Sequence, residues 1–84
     1  MSIQTLMQNK EVLAKFKVGA NVIIHERAAT HVKVYGHVVG FSLNPEPLRA
    51  GELMVRISVA TRTGEQIQNF DPQYPDFSFE IDRK

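Results

Sequence analysis

Residues 17–41 read KVGANVIIHERAATHVKVYGHVVGF, and the period of their apolar residues decides the fold. Up to Lys17 the apolar positions recur at helical spacing; from there they recur at two, the strand period. Gly19 opens the first strand, which runs through Val22, Ile23 and Ile24, and Arg27 to Thr30 form a polar turn. In the second strand Val32, Val34 and Val38 share one parity and Tyr35, Val39 and Phe41 the other. Alternation fails near Gly36, which predicts a bulge or sharp bend there, with Gly40 able to do the same farther on.

Working outward, SLNPEPLRAGE (42–52) is the longest loop, and its prolines predict no regular structure. ELMVRISVAT (52–61) is a third strand, with Leu53, Val55, Ile57 and Val59 on one face and Met54, Arg56, Ser58 and Ala60 on the other. Thr61–Gly64 is a turn and GEQIQNF (64–70) a fourth strand. DPQYP (71–75) predicts a single helical turn. DFSFEID (76–82) is the last strand, with Phe77, Phe79 and Ile81 inward and Ser78, Glu80 and Asp82 outward. Upstream, residues 2–15 predict a helix capped by Ser2, with Ile3, Leu6, Met7, Leu13 and Ala14 as its apolar stripe and Lys10 interrupting it. This helix is either a packing element or frayed arm, or an oligomer contact.

Together these elements predict a mostly β chain: an N-terminal helix or arm over 1–16, then a five-stranded antiparallel SH3-like barrel over 17–84. Short connections favour antiparallel pairing, and closure removes exposed strand edges.

The 84 residues suffice for one domain, and a chain this short buries a modest share of its surface, which favours self-association. The absence of cysteine removes disulfides and thiolate chemistry and suits a reducing cytoplasm. The net charge of +1 is not the excess expected of a protein held to nucleic acid by phosphate contacts. Charge is uneven, however: residues 1–63 carry a net +4 and residues 64–84 a net −3. No stretch reads as a membrane span, and Gly36-x-x-x-Gly40 lacks the apolar surroundings of a membrane dimerisation motif.

Catalytic patterns are few. His25, His31 and His37 lie at intervals of six on one hairpin and do not converge as metal ligands. No serine stands in a nucleophile elbow, and Gly64 precedes a strand rather than the helix that a phosphate loop requires. The acidic pairs Asp71 with Asp76, and Glu80 with Asp82, read as solvation. For binding, Ile67 reads as the inward anchor of the fourth strand, which turns Gln66, Gln68 and Phe70 outward together. Arg56, Lys33, Tyr35 and Tyr74 extend this into a strip of amides, aromatics and cations able to hydrogen-bond and stack on a ligand.

The opening stretch resembles the first hairpin of SH3-like barrels of the KOW and translation-factor type. It shares their glycine before the first strand and a glycine-flanked corner in the second. A narrower resemblance is to the plasmid-encoded type II dihydrofolate reductases, through Gly19-Ala20-Asn21-Val22, Val38-Val39-Gly40-Phe41-Ser42, Asn44-Pro45-Glu46-Pro47 and Glu65-Gln66-Ile67-Gln68. That resemblance implies a homotetramer around one pore, in which Gln66 and Ile67 contact NADPH and dihydrofolate. Two positions depart from it: Gln68 stands where the family has Tyr, and Ile24 where it has Lys. The residues themselves favour a small cytoplasmic bacterial, phage or mobile-element binding module. It would act through protein or nucleic-acid contacts, with no cofactor, metal, membrane or catalysis of its own. The NADPH-dependent reductase is the alternative.

Overall fold

A computed structural model describes residues 3–82, apart from the side chains of residues 30, 31 and 82. The Ser2 cap and the side chain of His31 therefore lie outside the described residues. The chain is mostly β. One helix, α1 (Ile3–Lys15), precedes five strands: β1 (Asn21–Glu26), β2 (Ala29–Leu43), β3 (Leu53–Thr61), β4 (Gly64–Phe70) and β5 (Phe77–Asp82). They form one antiparallel sheet in the order β4-β3-β2-β1-β5. No ladder joins β4 to β5, so the sheet is not closed into a barrel and these two strands are its edges.

The inner face carries the core. Val55, Ile57 and Val59 of β3 stack with Val22 and Ile24 of β1, Val38 of β2 and Phe70 of β4, all buried. Phe79 and Ile81 of β5 stand opposite Ile24 and Val22 and pack against the same cluster. Strict alternation in β3 and β5 produces this face, because strand side chains point to opposite sides in turn.

One local feature differs from the sequence expectation. The helical turn lies at Pro47–Arg49, inside the long loop, where the Arg49 amide donates to the Glu46 carbonyl at 3.0 Å. Pro47 presets the backbone angle that such a turn needs. Residues 71–76 instead make two successive turns, closed by Tyr74 N–H to Asp71 O and Phe77 N–H to Tyr74 O. Pro72 and Pro75 have no N–H to donate, so a helix cannot propagate there.

The bulge in β2 falls between Val38 and Gly40 in the register with β3, at the second of the two glycines where one was expected and not at Gly36. Gly36 stays in register opposite Val59. It is glycine for a steric reason: a Cβ there would stand 2.5 Å from the Ser58 carbonyl oxygen and 2.8 Å from Ile57 Cγ2.

The helix docks by a face other than the predicted stripe. Val12 and Phe16 are buried, and Phe16 meets Phe79 edge-to-face at 5.4 Å. Asn9 fastens the helix to β3: its Nδ2 donates to the Gly51 carbonyl at 2.8 Å, and its Oδ1 accepts from the Leu53 amide at 3.0 Å. Ile3, Leu6, Met7, Leu13 and Ala14 are exposed instead. Phe16, just beyond the last helical residue, supplies the anchor that the periodicity within the helix did not show.

Candidate binding groove

The β3–β4 hairpin fixes what β4 can present. Its two-residue turn pairs Thr61 with Gly64, which sets Val59 opposite Gln66, Ile57 opposite Gln68 and Val55 opposite Phe70. Directly opposed residues of an antiparallel pair share a face. Gln66, Gln68 and Phe70 are therefore on the inner face, and Ile67 is on the outer face opposite Ser58, 53% exposed. This inverts the parity expected from sequence. The physical reason is the relative apolar area of the two candidates: Phe70 is the larger side chain, and its burial sets the parity of the strand.

The predicted strip is thereby divided. Gln66 and Gln68 are exposed positions on the inner face, while Phe70 is a largely buried part of the core. Arg56, opposite Gly40 and Asn69, is exposed on the outer face. Lys33 stands opposite His25 and Tyr35 opposite Ile23, also on the outer face. His25 Nε2 lies 3.2 Å from Glu80 Oε2 there, and His37 stands opposite Asn21. Tyr74, in the β4–β5 connection, lies with its ring 6.2 Å from that of Phe77. A hydrogen bond with Asp76 raises its hydroxyl pKa above the ordinary tyrosine value, because the phenolate would face a carboxylate.

What the structure brings together is a groove on the inner face. Helix α1 covers the end of that face near Leu53, through Asn9. Toward the β1–β2 and β3–β4 turns the face opens into a groove of about 310 Å³. Its apolar lining comes from Ile24, Val34, Val59, Phe70 and Phe77, and its polar lining from Glu26, Thr61 and Gln68. It lies between the two free edges, and among the described residues Glu26 is the one charged residue that lines it. Of the predicted site residues only Gln68 and Phe70 line it.

Sequence reasoning missed Ile24, Val34, Val59, Phe77, Glu26 and Thr61 as groove residues because each reads as an ordinary strand position. The hairpin register was the available signal. A two-residue turn at 62–63 pairs odd-numbered residues of β3 with even-numbered residues of β4, and β3 declares its odd-numbered residues inward plainly. Among the described residues no three His, Asp or Glu side chains stand together to hold a metal, and no helix is long and apolar enough to cross a membrane. The chain matches no family model, no curated protein and no solved structure.

Proposed function

We propose that the chain is a small protein-binding module that takes an extended segment of a partner protein in the inner-face groove and performs no catalysis itself. The observation that supports this reading is the groove's composition and setting: an apolar floor, a polar margin, and an unpaired strand edge on either side. A free edge offers a row of backbone donors and acceptors to an added strand, and alternate side chains of that strand would enter the groove. The Glu26 carboxylate complements a Lys or Arg flanking the apolar residues of the partner. A phosphate backbone finds no counter-charge among the described residues of this lining, which favours protein over nucleic acid.

The test is selection of a random peptide display library on the folded protein, with counter-selection on Gln68→Arg. Gln68 is exposed, so this change fills the groove without disturbing the core. Enriched peptides with alternating apolar residues and a basic flank, lost on Gln68→Arg, support the reading. Enrichment of peptides that bind the variant equally well would overturn it, as would tight, salt-dependent binding of single-stranded oligonucleotides. NADPH-dependent turnover of dihydrofolate, assayed on the same preparation, would replace the module reading with the reductase one.

A further inference from the structure

The two free edges of the sheet are not alike. β5 carries the charged Glu80, and Phe16 at the end of α1 lies against its Phe79. Sheets keep foreign strands off an edge with charges, prolines, bulges or a covering element. β4 has little of this. Every residue from Gly64 to Asn69 is exposed, Glu65 is the one charged residue, and no proline interrupts. Its ladder with β3 has no bulge. The hairpin also fixes where its backbone groups point. A two-residue turn closes on a hydrogen-bonded pair, here Thr61 with Gly64, and bonded and non-bonded pairs then alternate. Gly64, Gln66, Gln68 and Phe70 therefore turn their N–H and C=O groups to β3. Glu65, Ile67 and Asn69 turn theirs to the open edge.

These outward residues complement a second copy of themselves. A twofold axis normal to the sheet, passing beside Ile67, lays another β4 antiparallel along the first. It sets Ile67 against Ile67, and each Glu65 against Asn69 of the other copy. At all of these positions outward backbone meets outward backbone, so each opposed pair exchanges both hydrogen bonds. Opposed residues share a face, so Gln66 meets Gln68 of the other copy on the inner face, amide to amide. The outer face brings opposite charges together. Arg56 stands opposite Asn69 within one chain, and Asn69 stands opposite Glu65 of the other. Arg56 and that Glu65 are then two strand spacings apart, roughly 10 Å, which two long side chains can span. Both are exposed, and neither makes an ion pair among the described residues. We propose that β4 is a homodimer edge, at which two copies pair antiparallel about Ile67 into one continuous sheet, with Arg56 of each reaching Glu65 of the other. The pairing leaves the groove floor and the β5 edge open, so it does not depend on how the groove is used.

One short strand buries less than the roughly 800 Å² per partner of a standard interface, so the dimer is reversible and concentration-dependent. Sedimentation equilibrium over about 1 to 500 µM reads it directly. The wild-type chain is expected to show a monomer–dimer equilibrium. Ile67→Pro removes the N–H at the axis, which faces away from β3, and raises Kd about tenfold or more while the hairpin keeps its own ladder. Two further variants test the register. Asn69→Glu opposes carboxylates twice and raises Kd about tenfold, whereas Asn69→Lys opposes an ammonium to Glu65 twice and lowers it about fivefold. Within one chain the preference is the reverse, because residue 69 stands opposite Arg56, so a change in fold stability cannot imitate this result. Both substituted positions are exposed, and circular dichroism of each variant confirms the fold. A chain that stays monomeric throughout, a dimer indifferent to Ile67→Pro, or Asn69 variants that do not separate in this order would overturn the proposal. So would a series of larger species, which head-to-tail pairing of β4 with β5 would give.

Discussion

Phe70, the last residue of β4, and Phe77, the first of β5, meet edge-to-face with ring centroids 5.6 Å apart, across a seam that no strand ladder closes. Phe79 joins them, 5.8 Å from Phe70. Aromatic rings in this geometry attract beyond their burial alone, so side chains hold together the two edges that the backbone leaves apart. The same arrangement keeps the groove, since a sheet zipped fully along this seam would leave less room between its edges.

Phe70 is 9% exposed and contacts both aromatic partners, so Phe70→Ala is expected to cost about 3 to 4 kcal/mol in urea unfolding. Phe77 is only partly buried, and Phe77→Ala should cost roughly half as much. If truncating Phe77 proves the more damaging of the two, Phe70 is not the anchor of the seam.

The exposed amides of β4 make the complementary case. Gln66→Ala and Gln68→Ala should each move the melting temperature by no more than about a degree, since neither side chain is buried. Gln68→Ala should still weaken any peptide selected on the groove. A loss of several degrees from either change would show that these amides are structurally bonded.

The legible part of the fold was the part in which packing and period agree. β3 and β5 alternate strictly because one of their faces is core and the other is not, and their parities are those read from sequence. β4 offered two candidate anchors of opposite parity, Ile67 and Phe70, and only the cross-strand register decides between them. The helix misled because its apolar periodicity records a surface turned outward. Val12 and Phe16, which dock it, are too few to show a period. Beyond the β4 residues that this register turns inward, the groove was not legible, because it arises where coverage by α1 ends and where β4 and β5 fail to pair.

The two glycines of β2 separate steric from conformational demands. Gly36→Ala pushes a methyl group into the Ser58 carbonyl and should cost about 2 to 3 kcal/mol, since the obstacle is backbone that cannot rotate aside. A Cβ at Gly40 meets nothing within 4 Å, so Gly40→Ala should lie within about 1 kcal/mol of wild type. Thermal melts of the two variants check this ordering directly, and equal losses would contradict it.

Asn9 acts as a surrogate strand residue, donating to Gly51 and accepting from Leu53 as a backbone partner would. Asn9→Ala leaves both partly buried backbone groups without this partner and should cost about 2 kcal/mol. The effect should be local. Hydrogen exchange at the Leu53 amide should accelerate well beyond that of the β3 centre, because detaching the helix opens this end of the sheet first. Uniform acceleration along β3 would mean that the helix is integral to the global unfolding unit.

Arg49 links the long loop to the β4–β5 connection. Its guanidinium grips the Asp71 carboxylate with both terminal nitrogens and donates from Nε to Glu52 at 2.6 Å. Those two carboxylates raise the Arg49 pKa above its ordinary value, chiefly through the hydrogen bonds to Asp71, so the group remains charged throughout the working pH range. Asp71 also accepts from the Gln73 amide, which starts the first of the two turns leading into β5. Removing the arginine therefore does more than delete an ion pair, because it leaves two largely buried carboxylates, 14% and 18% exposed, facing each other's neighbourhood without a cation. Arg49→Met should cost about 1 to 2 kcal/mol near neutral pH. Arg49→Lys should recover only part of the loss at neutral pH, since an ammonium cannot make the forked contact. Full rescue by lysine would show that charge alone, and not the planar geometry, holds the loop to the closing turn.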